Sequence, residues 1–192
     1  METNNTTYIL MGCKSCGKST QGNNISKEFK VPFFDTDTLI EKMVDMPVRE
    51  YYNKKGGAAF MQAEEEVCKK LASEYAGQKI VISTGGGICE NAPALNELKA
   101  LGQFVFLKLP IEVSVSRIMK RITENADGEF QNVPSYIMVK NPKSLEEIRQ
   151  LLTERFEERT KKYASIADIT VEIKEASRDE NFKSIIEALK QN

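Results

Sequence analysis

The chain has 192 residues, 41% hydrophobic and 29% charged, which is enough apolar material for one folded domain and too balanced a charge for a disordered one. Lys+Arg 27 against Asp+Glu 28 leaves a formal charge of −1, without the basic field that a nucleic-acid binder carries. Histidine is absent, which removes Ser-His-Asp and Cys-His catalysis, the HExxH zinc site and histidine metal cages together.

Four cysteines, Cys13, Cys16, Cys68 and Cys89, are too few for a disulfide scaffold of this length. No apolar run approaches the roughly 18 residues of a membrane span. The polar start METNNTT lacks the basic region and apolar stretch of a signal peptide. A soluble, reduced, cytoplasmic protein is expected. Its partners would be small molecules, with no nucleic acid and no membrane, and it would be a monomer.

Tyr8-Ile9-Leu10-Met11 is a short apolar run ending at Gly12 and reads as a buried strand. After a turn containing Gly and Ser, Lys18 to about Lys30 reads as a helix, although Gly22-Asn23-Asn24 is poor helix material. Val31-Pro32-Phe33-Phe34 is a second strand, entering Asp35-Thr36-Asp37. Thr38 to Val44 and Val48 to Lys54 read as short helices around Pro47, and Gly56-Gly57 breaks the chain. Ala58 to Tyr75 is strongly helical, with Phe60, Val67 and Leu71 on one side. Lys79 to Ser83 is the clearest buried strand and stops at Gly85-Gly86-Gly87. Asn91 to Ala100 reads as a helix, Gln103 to Leu107 as a strand and Ile111 to Arg121 as a helix.

Residues 123–143 are polar, contain Gly and two prolines, and have no clear period. A stretch of that length is usually a functional lid or disordered. Ser144 with Glu147 three residues on forms a capping box that opens a helix to about Ser165. Asp168 to Ile173 is a last strand and Asp179 to Lys190 a last helix. Short apolar strands alternating with helices imply βαβ units and a parallel sheet covered on both faces. The expected architecture is a single three-layer α/β/α domain over residues 1–192 with a five-stranded parallel sheet. Ligands of such sheets bind beyond the carboxyl ends of the strands, where Gly12, Asp35 and Gly85 fall.

Gly12-Cys13-Lys14-Ser15-Cys16-Gly17-Lys18-Ser19 matches the G-x-x-x-x-G-K-[ST] phosphate loop. That spacing wraps backbone N–H groups and the positive end of a helix around a phosphate. Lys18 would reach the β- and γ-phosphates, and the Ser19 hydroxyl would ligate Mg²⁺. Asp35 and Asp37, one residue apart on an extended segment, point the same way. Beside a phosphate loop, one can hold Mg²⁺ through water while the other receives a hydroxyl proton; on their own they would read as a favourable helix N-terminus. Gly85-Gly86-Gly87 lets a ligand approach the backbone closely, or is simply a flexible turn. Glu64-Glu65-Glu66 and the charged run around Arg159 are ordinarily solvated helix faces. Cys13-x-x-Cys16 lacks the two further ligands that zinc would need; filler positions of the loop are the plainer reading beside a redox role.

The order of these motifs resembles the shikimate kinase family, small phosphate-loop kinases of the nucleoside-monophosphate-kinase type. The resemblance rests on Gly12 to Thr20, on Phe34-Asp35-Thr36-Asp37 with Ile40-Glu41, on Gly56 to Glu64, on Ile82-Ser83-Thr84-Gly85-Gly86-Gly87 and on Arg159 to Asp168. It implies ATP and Mg²⁺, with Gly12, Ser15, Cys16, Gly17, Lys18, Ser19 and Thr20 on the nucleotide and Arg117 stacking on adenine. It assigns Asp35 with Ser19 to the metal, and makes Lys18 and Asp37 catalytic. It gives the acceptor Asp37, Gly85, Gly86, Gly87 and Arg159, with Glu64 holding the family's substrate arginine. Residues 36–75 would form the substrate-binding helical part and 123–143 the lid. The implied reaction is phosphorylation of shikimate to shikimate 3-phosphate.

Four departures stand out. The arginine that clasps the substrate carboxylate is Met61, the lid motif Arg-Pro-Leu-Leu is Val133-Pro134-Ser135-Tyr136, the stretch between Arg117 and Pro134 is longer than the family norm, and the third glycine of the loop is Ser15. Met cannot replace a bidentate arginine. Lys14, Lys54, Lys55 and Lys140 are candidates to compensate. The same fold acting on a gluconate-like sugar acid or a neutral polyol is therefore an alternative. A nucleotide-binding protein without catalysis is a weaker one, since Lys18, Ser19, Asp35 and Asp37 are all retained.

Overall fold

A computed structural model describes residues 6–191, so most of the polar start METNNTT lies outside the described residues. The elements are β1 (Thr7–Met11), α1 (Lys18–Phe29), β2 (Phe33–Asp35), α2 (Thr36–Val44), α3 (Val48–Glu74), β3 (Val81–Ser83), α4 (Ala92–Lys99) and β4 (Gly102–Lys108). They continue as α5 (Ile111–Met119), β5 (Thr123–Glu124), β6 (Phe130–Gln131), α6 (Ser135–Met138), α7 (Leu145–Ile166), β7 (Ile169–Glu172) and α8 (Arg178–Gln191). The five apolar runs pair in parallel, in the order β2-β3-β1-β4-β7, with Ile9 of β1 opposite both Ile82 and Phe104.

Strand side chains alternate between faces, so β1 feeds two cores. Ile9 and Met11 join Ile82, Phe104 and Phe106 on one face, beneath Leu71 of α3, Leu98 of α4, Val115 of α5 and Tyr163 of α7. Tyr8 and Leu10 join Val81, Val105 and Leu107 on the other, beneath Ile25 of α1 and Leu189 of α8. Each fully buried aliphatic side chain contributes about 1.5–3 kcal/mol of transfer free energy. This three-layer packing places Gly12, the end of β2 and Gly85 along one edge of the sheet. Among the described residues no helix is long and apolar enough to cross a membrane.

One local expectation holds and one changes. The Gly56-Gly57 break is present: Gly56, at φ 84 and ψ 172, leaves helical geometry and divides α3 into two helices across a kink, with Phe60, Met61 and Glu64 on the second. Residues 123–143 are not without structure. β5 and β6 pair antiparallel, Thr123 opposite Gln131, around a turn in which Asn125 Oδ1 accepts from Asp127 N (3.0 Å) and Glu129 N (2.8 Å). Two-residue strands are too short to show a period. Val133 and Ile137 then anchor the segment in the core. At the start of α7 the Ser144 hydroxyl accepts from Glu147 N (3.1 Å), but Glu147 reaches back to Lys143 N (2.6 Å), one residue before the cap.

Candidate active site

β1 runs into Gly12, where a Cβ would lie 2.8 Å from the Leu107 carbonyl oxygen and 2.9 Å from Cys16 Sγ, so only glycine lets the loop pass. Gly17, at φ 98, caps α1 in the left-handed region, and Ser15 occupies the same region at φ 70. The Lys18 ammonium lies inside the loop, donating to Gly12 O (2.9 Å) and Cys13 O (3.2 Å), and the residue is 8% exposed. Arg117 Nη1 donates to Ser15 O (2.9 Å), bracing the loop from α5, while Thr20 is exposed on the first turn of α1. The four cysteines are free and buried. Burial pushes the Cys13 thiol up to about 11, which makes it a poor nucleophile.

Asp35 caps α2 and also meets the phosphate loop. Its Oδ1 accepts from Asp37 N (3.1 Å) and Thr38 N (3.4 Å), capping α2, while its Oδ2 accepts from Ser19 Oγ (2.6 Å). Ser83, at the end of β3, comes to 3.5 Å of the Ser19 hydroxyl. Burial and then the neighbouring Asp35 charge raise the pKa of the Asp37 carboxyl.

The three glycines after β3 each have close neighbours where a side chain would begin. A Cβ at Gly85 would lie 2.9 Å from Asp37 Oδ1 and 3.0 Å from Glu64 Oε1; one at Gly86 would press on Lys14 N (3.1 Å); one at Gly87 would meet Arg159 Nη2 (3.1 Å). Thr36 Oγ1 accepts from Gly85 N (3.0 Å), tying this loop to α2. Glu64 is 2% exposed; Asn91 Nδ2 donates to its Oε2 (2.9 Å) and to Met61 O (2.8 Å). Burial pushes the Glu64 carboxyl up to about 7, against the Asn91 hydrogen bond and with the help of Asp37. Arg159, 4% exposed, donates to Gly86 O (2.9 Å) and Glu90 Oε2 (2.9 Å), and its guanidinium lies 4.7 Å over the Tyr136 ring. Glu90 also accepts from Arg155 Nη2 (2.7 Å).

These groups converge on one cavity of about 410 Å³, lined among others by Lys18, Ser19, Asp37, Glu64, Gly85 and Arg159. Ser15, Gly86 and Gly87 also line it; Gly12, Cys16, Gly17, Thr20, Asp35 and Arg117 sit around the phosphate loop without lining it. Met61 stands on the cavity wall, 39% exposed, whereas Val133 is wholly buried in the core. Lys14, Lys18, Arg49, Arg155 and Arg159 make the lining rich in cations. Desolvation lowers the Lys14 pKa; Asp37 opposes that, and Arg49 adds to the lowering. Lys54, Lys55 and Lys140 do not line the cavity.

Sequence reasoning missed Glu90, Asn91, Arg155 and Tyr136. Arg155 and Arg159 are four apart on one helix face, a spacing visible in the sequence; the acid that joins them, from a 3₁₀ turn at Ile88–Glu90, is not. Asn91 caps α4, its Oδ1 accepting from Ala94 N (3.4 Å). The Nδ2 end, which holds Glu64, carries no sequence signal.

The shikimate kinase family model matches residues 14–190. A shikimate kinase of Aquifex aeolicus is 36% identical over 95% of each chain. Its crystal structure superposes with a TM-score of 0.71, covering 97% of both chains. The shikimate kinase of Acinetobacter baumannii in complex with shikimate gives a TM-score of 0.77 at 26% identity, covering 98% of this chain and 95% of that one.

Proposed function

Because the chain belongs to the shikimate kinase family, we propose that it transfers the γ-phosphoryl group of ATP to a hydroxyl of shikimate, giving shikimate 3-phosphate and ADP. The observation that carries this reading is the meeting, in one cavity, of a phosphate-loop lysine, a half-buried aspartate and a buried arginine beside three glycines. Gly12 to Thr20 hold the phosphates, and Lys18 exchanges its carbonyl partners for phosphate oxygens as negative charge builds on them. Arg117 lies behind the loop on the nucleotide side. Asp37 takes the proton of the attacking hydroxyl while the new O–P bond forms and the β,γ-bridging P–O bond breaks. Gly85 to Gly87 offer backbone to the acceptor, and Arg159 offers a guanidinium to its carboxylate.

The hydroxyl of Ser19 and the carboxylate of Asp35, in hydrogen-bond contact, fit a magnesium ion. Among the described residues no cluster of three acidic, histidine or cysteine side chains forms a metal cage, so the remaining ligands would be phosphate oxygens and water. A magnesium ion held there would supply neutralisation of phosphate charge. We take residues 123–143 as the lid and 36–75 as the substrate-binding helical part of a single domain. We take the enzyme as a cytoplasmic monomer with small-molecule partners.

Met61 favours a second reading, an acceptor without a carboxylate at that wall or a gluconate-like acid bound differently. ADP release with shikimate, gluconate and a neutral polyol separates the two. The account expects shikimate to give the highest kcat/KM. A higher value with either of the others would overturn the choice of acceptor, and tight ATP binding without turnover would leave a non-catalytic nucleotide binder.

A further inference from the structure

Glu64 is a carboxylate that the fold has buried and left half unpartnered. Its Oε2 is held by Asn91, but its Oε1, fully shielded from solvent, has no hydrogen-bond partner. The donors around it are committed except Arg159 Nε, which is also buried without a partner. Arg159 gives Nη1 to Gly86 O and Nη2 to Glu90, Asn91 Nδ2 is shared between Glu64 and Met61 O, and the Met61 side chain has no donor. Glu64 lines the cavity, and its Oε1 and Asp37 Oδ1 both lie within 3.0 Å of the same point, the position a Cβ on Gly85 would take. Gly85 therefore lets the backbone pack against both carboxylates, where a side chain would collide with them. A buried acceptor without a partner is unfavourable and persists where a ligand completes it.

We propose that Glu64 binds the acceptor directly, its Oε1 accepting a hydrogen bond from the hydroxyl adjacent to the one that Asp37 deprotonates, so that the site selects vicinal diols. This rests on the kinase reading above. In the family pattern this acid holds an arginine; here Met61 leaves it free to face the substrate. Asn91 acts through it, fixing the other oxygen. With its carboxyl pushed to about 7, Glu64 is mainly the acceptor form at pH 8.

The test compares wild type and Glu64→Gln at pH 8, with shikimate and with the analogue in which the adjacent hydroxyl is replaced by hydrogen. KM is read for each, or the inhibition constant where the analogue is not turned over. Glu64→Gln is expected to raise KM for shikimate about tenfold or more, to leave kcat within about threefold, and to change the analogue's constant by less than about twofold. ATP affinity should stay unchanged. Equal penalties for the two compounds, or none, would overturn the inference alone. If wild type does not turn over shikimate, the functional reading falls and the inference with it. Should Glu64→Gln fail to fold, Glu64→Asp keeps the charge but withdraws it from the cavity, and the same selective loss is expected.

Discussion

Met61 departs from the motif of the family that the sequence resembles, and its position gives the departure a physical meaning. It stands on the cavity wall three residues before Glu64, on the part of α3 that follows the Gly56 kink. Met61→Arg would set a guanidinium between the Glu64 carboxylate and the acceptor's carboxylate, a bidentate geometry. The expected result is a KM for shikimate lower by about tenfold. Discrimination against the deoxy analogue should shrink at the same time, because Glu64 Oε1 would pair with the new cation. Steady-state kinetics with both compounds checks this. Efficient wild-type turnover that the substitution leaves unchanged would mean that another cation holds the carboxylate, with Lys14 and Arg155 the next to substitute. Ser15 departs in a different way. It keeps the left-handed backbone where the family has glycine, at a local conformational cost of about 1–2 kcal/mol.

At the scale of elements, the segment around α6 is tied to the cavity through Tyr136 and Arg49. Val133 sits in the core, but Tyr136 from the same segment reaches the cavity and places its ring against the Arg159 guanidinium. Arg49 of α3 donates to Val133 O (3.1 Å), tying the segment to the substrate side. Tyr136→Ala should remove the cation–π support, worth about 0.5–2 kcal/mol. KM for shikimate should rise by about 2- to 30-fold with ATP affinity unchanged, as titration of each ligand would show. The five strands, the phosphate loop, Asp35, Asp37 and Gly85 to Gly87 were legible in the sequence because each depends on local pattern: an apolar run, a fixed spacing, a glycine at a strand end. The hairpin of β5 and β6 was not, since two residues carry no period. Nor were Glu90 and Asn91, whose partners Arg159 and Glu64 are brought to them only by tertiary packing. The break at Gly56 was legible too, because a glycine pair in a helical pattern marks a place where helical geometry is lost.

For the whole molecule, the buried carboxyl of Glu64 links folding to pH. Its pKa rises from 4.5 when exposed to about 7 in the fold, so between those values the folded protein binds more protons than the unfolded chain. The contribution to stability is therefore fully present below about pH 4.5 and is lost as pH rises through about 7. A shift of that size corresponds to on the order of 3 kcal/mol. Asp37, also raised, acts with the same sign. Urea unfolding of the ligand-free protein between pH 5 and pH 8 should show stability falling as pH rises, and falling less in Glu64→Gln. Equal slopes would mean that Glu64 is ionised throughout.

The central claim is that this cavity phosphorylates shikimate with Asp37 as the proton acceptor. Steady-state ADP release with saturating ATP and varied shikimate, in wild type and Asp37→Asn, tests it most directly. The account predicts wild-type turnover that saturates in shikimate, and in Asp37→Asn a kcat lower by about a hundredfold or more with ATP affinity within about threefold. Wild type that releases no ADP in response to shikimate, or an Asp37→Asn variant that keeps kcat and loses only ATP affinity, would contradict it.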